Sequence, residues 1–328
     1  MEFFNKHHVT GTLTIPEPIP THTHTHTGGH HHGHPTALPP PSGHLPPGSL
    51  LILIPLSLSL PQYHVHREQI THTGMRTLWV IFAFFTLAVV ITMIMAKRVE
   101  RKLRLFHLIT GIILVTAHAS YLVMACGMGV TWVKSFKHAA DGAPVIRQVF
   151  YARYIDWAIT TPLLLLDLAL LAGMPKIQIV TILVADVFMI VMGLFAALQD
   201  ASEKARWFLY ALSCAFYLYV LFGIVFAGRK SASLQSSNVR QVYNVTAGMI
   251  IVLWTGYPII FALTEGKGRI SVDAEVICYG ILDVIAKIVF GFYLLSAHSH
   301  SEGDSVVLPE SWTEPRGSAR YGAIASDD

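Results

Sequence analysis

The sequence predicts an all-α membrane protein in which seven transmembrane helices form one bundle. Composition is the first observation: 53% of the 328 residues are hydrophobic and 13% are charged, whereas a soluble domain carries about 25% charged residues. The mean hydropathy of +0.51 is the second observation. The third is a series of apolar runs of about 20 residues, which is the length that a helix needs to cross a bilayer.

Residues 76–297 carry these seven apolar runs. Because the polar segments between the runs are short, we expect consecutive helices to pack antiparallel within a single domain. The predicted spans are Thr77–Ala96, Phe106–Cys126, Gln148–Ala172, Ile177–Leu198, Trp207–Ala227, Val242–Leu263 and Asp273–Ala297.

The two ends of the chain differ from this central part. Residues 1–75 contain a Thr/His repeat followed by a Pro-rich stretch. Such a composition cannot bury a core, so we expect a disordered tail or a wrongly assigned gene start. Its histidines could bind zinc or copper weakly, but we favour a low-complexity segment without a metal site. Residues 298–328 are polar and are predicted to form a disordered cytoplasmic tail.

Basic residues predict the orientation of the bundle. The connection after the first run reads KRVERKLR, and the connection between the fifth and sixth runs carries three basic residues and no acid. Both connections lie on the same side of a seven-helix bundle, and loops rich in Lys and Arg face the cytoplasm. We therefore expect a multi-pass protein, in the plasma membrane, with its N-terminus outside and its C-terminus in the cytoplasm.

The third run, YARYIDWAITTPLLLLD, places ionisable groups inside the membrane. Such a charge costs roughly 2.5–3.5 kcal/mol at the centre of a span, so it usually serves a function. At about 100° per residue, Arg153 and Thr160 are displaced by about 60° and 40° from Asp156. Asp167 is displaced by about 20° and lies about 16 Å further along the axis, so all four share one face. A structural ion pair would explain Arg153 and Asp156. It would leave Asp167 alone among leucines, where its protonated form is favoured, so we favour a ladder of proton-exchanging groups.

The seventh run contains DVIAK, in which Asp283 and Lys287 are spaced i, i+4 and face the same side of the helix. An intrahelical salt bridge is the structural interpretation. A buried lysine can also condense with an aldehyde to a Schiff base, whose protonated form needs carboxylate counter-ions in a low dielectric. Asp283 and Asp156 are the two carboxylates predicted at a suitable depth.

The sixth run reads LWTGYPIIF and places an aromatic stripe with a proline kink on one face. Packing alone is the structural interpretation, but beside a lysine and carboxylates we favour a slot for a flat apolar ligand. The stripe consists of Trp254, Tyr257, Pro258 and Phe261, and further walls could come from Tyr121, Tyr154, Trp157, Met189, Gly193 and Tyr210.

The segments RYIDWAITTPLLLLD and LDVIAK resemble the third-helix signature and the retinal-lysine motif of the microbial (type 1) rhodopsins. The likeness covers residues 76–297, and the flanking sequence looks most like fungal light-driven proton-pumping opsins, which are bacteriorhodopsin-like. It implies a seven-helix bundle with all-trans-retinal in its core, covalently bound to Lys287, and with Asp283 as the second counter-ion.

The resemblance also implies a role for the other ionisable residues. Asp156 matches the primary proton acceptor, and Asp167 matches the cytoplasmic donor that returns the proton. Arg153 matches the arginine that shifts during proton release. Glu265 and Glu275 match a pair of outer carboxylates that releases the proton.

Further matched positions belong to the retinal pocket. The same likeness assigns Thr160 and Thr161 to this pocket, and Thr161 with Asp186 matches a pair that links the third and fourth helices. Leu164 stands at a position linked to colour choice and implies green rather than blue absorption.

Several functions are open to a protein of this kind. By resemblance, chloride pumps have a neutral residue at the Asp156 position, and sodium pumps use an Asn-Asp-Gln pattern in place of Asp156, Thr160 and Asp167. Channels generally carry cysteine at the Thr161 position, and sensors usually lack the carboxyl of Asp167. We therefore favour a light-driven outward proton pump, with a photosensory or slow-cycling regulatory opsin that acts through a partner as the alternative.

The partners follow from this interpretation. We expect protons and the lipid bilayer, and a homo-oligomer is compatible with the sequence. A net charge of +3 is too small to indicate nucleic acid. We expect a transporter or photosensor rather than an enzyme.

Overall fold

The computed structural model describes residues 65–100 and 104–299. Within these residues, seven helices are long and apolar enough to cross a membrane, which confirms the predicted fold class. We number them α1 (His72–Arg98), α2 (Leu105–Ala125), α3 (Tyr151–Ala172), α4 (Lys176–Leu198), α5 (Glu203–Ala232), α6 (Ser237–Gly266) and α7 (Val272–Ala297).

Within the described residues, regular secondary structure is present before residue 76, where the sequence predicted a disordered tail. Disorder was predicted up to residue 75, but α1 already begins at His72, and the Thr71 hydroxyl caps it by accepting a hydrogen bond from the backbone N–H of Thr73. The backbone N–H of Thr71 also donates to Asp273 at the start of α7, over 2.8 Å. The predicted tail is therefore wrong for residues 65–75, and the rest of that prediction, like the segment from 300 onward, lies outside the described residues.

A small sheet, which the sequence analysis did not predict, covers the end of the bundle at which α3 begins. It contains β1 (His66–Glu68), β2 (Thr131–His138) and β3 (Pro144–Val149) in the order β1-β3-β2. β1 runs parallel to β3, and β2 runs antiparallel to it. The signal lay in the alternation along β2, where Val133 and Ser135 are buried while Trp132 and Lys134 are exposed.

The helix α3 lies at the centre of the bundle. Of an apolar stretch of 18 residues in α3, 61% is buried inside the protein, compared with 17% of the corresponding stretch in α5. It packs against both α2 and α4, and it ends at Gly173, whose φ of 68° is the left-handed conformation that favours glycine. A helix buried on most of its circumference can carry polar side chains without presenting them to lipid.

Three spans contain π-helical segments, which often occur at functional sites. They are Gly223–Gly228 in α5, Ala262–Gly266 at the end of α6 and Val284–Val289 in α7. The last of these carries Lys287, and the second carries Glu265.

Candidate functional site

The polar stripe of α3 lies entirely inside the protein. Arg153, Asp156, Thr160 and Asp167 are each no more than 2% exposed. Helical periodicity had assigned these four residues to one face, and that face points into the bundle.

The side chain of Lys287 joins α7 to α3 through two carboxylates. Its Nζ lies 2.5 Å from Asp156 Oδ2 and 3.2 Å from Asp283 Oδ1. The lysine is 1% exposed. A buried ammonium group is stable only when it is paired and hydrogen-bonded, so these two carboxylates act as its counter-ions in this structure.

The two carboxylates differ in how many hydrogen bonds they accept. Asp283 accepts from the hydroxyls of Tyr121 and Tyr257, each over 2.7 Å, and from Trp157 Nε1 over 3.1 Å. By contrast, Oδ1 of Asp156 has no hydrogen-bond partner among the described residues. Asp156 therefore has an oxygen that can take a proton without breaking a hydrogen bond, whereas both oxygens of Asp283 are engaged.

An apolar cavity lies next to this cluster, and Trp157 and Tyr257 form part of its wall. It contains about 650 Å³ of space between atoms, including the part that opens on the surface. Ten predicted pocket residues line it: Tyr154, Trp157, Thr161, Met189, Gly193, Tyr210, Trp254, Tyr257, Pro258 and Phe261.

The walls of this cavity fit a flat, apolar molecule. The rings of Tyr210 and Phe261 stack with an interplanar angle of 9° at 5.1 Å, and the Trp157 ring meets Tyr257 edge-on at 5.0 Å. An amine stands beside the cavity, because the Asp283 carboxylate that Trp157 and Tyr257 contact is itself in contact with the lysine of α7. These residues therefore fit a conjugated apolar aldehyde such as retinal.

The sequence analysis missed part of the cavity and assigned three residues to it that lie elsewhere. Tyr121 hydrogen-bonds Asp283 instead, Thr160 donates to the Asp156 carbonyl over 2.9 Å, and Leu164 packs in the apolar core. The missed residues are Ile190, Ser213, Cys214, Tyr217 and Tyr279. Three of these missed residues share a face of α5 with Tyr210, so helical periodicity could have identified them.

Two further predicted positions lie away from the lysine. Asp167 is 0% exposed, and neither carboxylate oxygen has a hydrogen-bond partner among the described residues. Asp186 of α4 accepts a hydrogen bond from the Thr161 hydroxyl over 2.7 Å, so the predicted contact between the third and fourth helices is present.

At the end of the bundle near the sheet, the two predicted outer carboxylates lie in one cluster. Glu275 accepts from Arg153 Nη1 and from Arg147 Nη2, each over 2.8 Å. Glu265 accepts from the Tyr154 hydroxyl over 3.0 Å.

Sequence reasoning missed Arg147 of β3, which is 3% exposed. Its position was readable, because Val145 and Val149 lie two residues away on the same strand face and are buried as well. Burial lowers the pKa of Arg147, but the nearby carboxylates of Glu275, Glu265 and Glu68 raise it by more, so the net shift is upward.

The chain is similar to known proteins over most of its length. Residues 73–301 match the family described as bacteriorhodopsin-like protein. Opsin-1 of Neurospora crassa is 40% identical over 254 residues, which make up 75% of this chain and 83% of that protein. The opsin-like protein carO of Fusarium fujikuroi is 37% identical over 233 residues, or 70% of this chain and 75% of that protein.

Solved structures with the same fold include pumps for different ions. The light-driven proton pump LR (Mac) from Leptosphaeria maculans superposes with a TM-score of 0.69 at 40% identity, covering 72% of this chain and 98% of that one. Halorhodopsin, a light-driven chloride pump, gives a TM-score of 0.67 at 33% identity, covering 71% of this chain and 98% of that one.

Proposed function

The chain belongs to the bacteriorhodopsin-like protein family, and we propose that it is a light-driven outward proton pump. One observation carries the proposal: Lys287 lies between two carboxylates that differ in their hydrogen bonds. Asp156 has one oxygen without a hydrogen-bond partner among the described residues, whereas both oxygens of Asp283 accept hydrogen bonds. A related solved structure supports it, because the Leptosphaeria maculans protein, which is 40% identical to this chain, is a light-driven proton pump.

The cofactor we propose is all-trans-retinal, held covalently by Lys287 and enclosed by the walls of the apolar cavity. When bound, it would supply the absorption of visible light and a change of shape that weakens the hold of the lysine nitrogen on its proton. The residues of the chain decide where that proton goes.

Asp156 is the proposed acceptor of the proton from the Lys287 nitrogen. A proton on Oδ1 of Asp156 costs no existing hydrogen bond, whereas protonation of Asp283 would disturb bonds from Tyr121, Tyr257 or Trp157. Buried polar groups that lose a partner are destabilised by about 1–3 kcal/mol. This difference favours transfer to Asp156.

The outward and inward halves of the path follow from the same stripe of α3. Arg153 lies three residues before Asp156, toward the end where Glu265 and Glu275 cluster, and these groups provide the proposed release site. Asp167 lies about 16 Å away in the opposite direction. As a buried carboxyl among leucines it favours its protonated form, so we propose that it returns a proton to the Lys287 nitrogen.

The direction of transport depends on orientation. Alternate helices of the bundle run in the same direction, so α1 and α5 run away from the sheet, as α3 does. Arg98 of α1 and the basic residues Arg229 and Lys230 of α5 therefore lie at the end of the bundle opposite the sheet. Basic connections face the cytoplasm. We therefore place the sheet outside the cell and the Asp167 end inside, with the protein in the plasma membrane.

The proposal is tested by measuring pH in a suspension of retinal-supplied cells that express the protein. We expect illumination to acidify the medium and a protonophore to abolish the change. Cells that express Lys287→Ala provide the matched control, because the variant loses the proposed attachment point. A pigmented wild-type protein that leaves the pH unchanged would contradict the pump and favour the sensor alternative.

A further inference from the structure

The two outer carboxylates are held in different ways. Each oxygen of Glu275 accepts a hydrogen bond from a different arginine: Oε1 from Arg153 and Oε2 from Arg147, each over 2.8 Å. The glutamate is 0% exposed. Protonation of Glu275 would weaken one of these charge-assisted bonds and leave a buried guanidinium without its counter-charge. Glu275 is therefore held as a carboxylate.

Glu265 has spare capacity instead. Its Oε2 accepts only from the hydroxyl of Tyr154, and its Oε1 has no hydrogen-bond partner among the described residues. Arg206 of α5 donates to the backbone carbonyl of Glu265 over 2.7 Å and not to its side-chain carboxyl group. A proton can therefore reside on Glu265 Oε1 without breaking an existing bond.

A small pocket connects Glu265 with the sheet. It contains about 200 Å³ of space between atoms, including the part that opens on the surface, and its lining includes Ser135 of β2, Arg147 of β3 and Arg206. The Nε–H of Arg147 is a second buried atom without a hydrogen-bond partner among the described residues. A donor and an acceptor that line the same pocket are the partners that a bridging water requires.

The sheet holds Arg147 in position. Its Nη1 donates to Glu68 of β1 over 2.9 Å and to the carbonyl of Ile270 over 3.0 Å. Glu68 is held in turn by Lys137 of β2 over 3.0 Å. With one nitrogen on Glu68 and another on Glu275, the guanidinium links the sheet to α7.

We propose that Arg147 is a positioning residue for proton release: it keeps Glu275 ionised, so that Glu265 carries the outgoing proton and delivers it through the pocket beside β2 and β3. This inference rests on the proposed pump. In the release step the O–H bond at Glu265 breaks, the proton passes to water in the pocket, and the carboxylate that remains is stabilised by the Tyr154 hydroxyl.

Arrival of a proton on Asp156 removes a negative charge from the inner side of Arg153. The positive charge of that arginine is then less compensated, and its field at Glu265 becomes stronger, which favours loss of the proton. Among the described residues, the charged and titratable groups around Glu265 come from several elements: they are Lys134, Arg147, Arg153, Tyr154, Arg206, Glu275 and Tyr279.

The test uses the full chain with bound retinal in lipid vesicles and a pH-sensitive dye on the side of the sheet. After a flash, the dye reports proton release while visible absorption reports loss of the proton from the Lys287 nitrogen. In the wild type we expect the two events to coincide above a threshold pH. In Arg147→Gln, Glu275 loses one guanidinium and the carboxyl pair binds its proton more tightly. The threshold should therefore rise by about one pH unit, a roughly tenfold change in proton affinity.

Two variants separate this effect from a general change of charge. Arg147→Lys keeps the charge beside Glu275, so its threshold should lie closer to that of the wild type. Arg67→Gln removes an exposed arginine from the same sheet and should leave the threshold unchanged. Release in Arg147→Gln with the wild-type threshold would overturn the proposal while leaving the pump intact.

A second measurement does not depend on folding of the Arg147 variants. Infrared difference spectra of the wild type should contain a protonated-carboxyl band that disappears on release, and Glu265→Gln should abolish this band. A band that persists in Glu265→Gln would contradict the assignment of the proton to Glu265. A wild type that forms a pigment but releases no proton at all would overturn the pump proposal and this one together.

Discussion

Lys287 of α7 and Asp156 of α3 form a buried ion pair, with Nζ 2.5 Å from Oδ2 and both side chains 1% exposed. The second oxygen of Asp156 has no hydrogen-bond partner among the described residues. The pair therefore combines a stable resting charge with room for one more proton, and this combination underlies the predictions below.

Replacement of Lys287 should abolish the pigment. Lys287→Ala removes the amine that stands beside the apolar cavity, so we expect no covalent retinal and no visible absorption band after retinal is added. The measurement is a visible spectrum of purified protein, followed by denaturation in acid to test whether retinal stays attached. Lys176→Ala is the control, because Lys176 is an exposed residue at the start of α4 and should leave the spectrum unchanged. Covalent colour in Lys287→Ala would refute the attachment site.

Neutralisation of Asp156 should shift the colour to the red and stop transport. Asp156→Asn removes a negative charge next to the Lys287 nitrogen, so the positive charge there is less localised, and it also removes the proposed acceptor. Acid should produce the same red shift in the wild type, since protonation neutralises the same carboxylate. Spectra over a pH titration check both statements. Asp200→Asn, at an exposed residue, should titrate like the wild type. An Asp156→Asn protein with wild-type colour would count against the role of counter-ion.

Replacement of Asp167 should slow the return of the proton to the Lys287 nitrogen. Asp167→Asn keeps the size of the side chain but removes its proton, so flash spectroscopy should detect a strongly delayed recovery that depends on pH. The resting colour should stay nearly unchanged, because the protonated carboxyl carries no charge. Added azide, a small diffusible proton carrier, should restore the rate, and Asp167→Glu should be less affected than Asp167→Asn. If Asp167→Asn recovers as fast as the wild type, the donor lies elsewhere.

A close helix contact provides a stability test. Gly228 of α5 lies against Tyr243 of α6, and a Cβ at this glycine would overlap the Tyr243 hydroxyl. That hydroxyl donates to the Ile224 carbonyl over 2.7 Å, and the tyrosine is 0% exposed, so it has little freedom to move. Gly228→Ala should destabilise the protein by about 1–3 kcal/mol, measured as faster thermal bleaching. Gly111→Ala, where a Cβ meets no atom within 4 Å, should bleach like the wild type.

Much of the site was predictable because its signals are local. The thickness of a bilayer sets the length of each span, so seven apolar runs predict seven helices. The helical period of 3.6 residues then assigns Arg153, Asp156 and Asp167 to one face and pairs Asp283 with Lys287. The aromatic stripe around Trp254 and Tyr257 was readable in the same way.

The tertiary structure decided what depends on residues far apart in the chain. Both oxygens of Asp283 accept hydrogen bonds, whereas one oxygen of Asp156 has no partner among the described residues. This difference depends on Tyr121, Trp157 and Tyr257, which come from three different helices. The hydrogen bond from Arg147 to Glu275 depends on the sheet. In that sheet β1 precedes α1 in the sequence, whereas β2 and β3 follow α2. Periodicity gives the direction of a side chain from its own helix, but hydrogen bonds between helices depend on how the bundle closes.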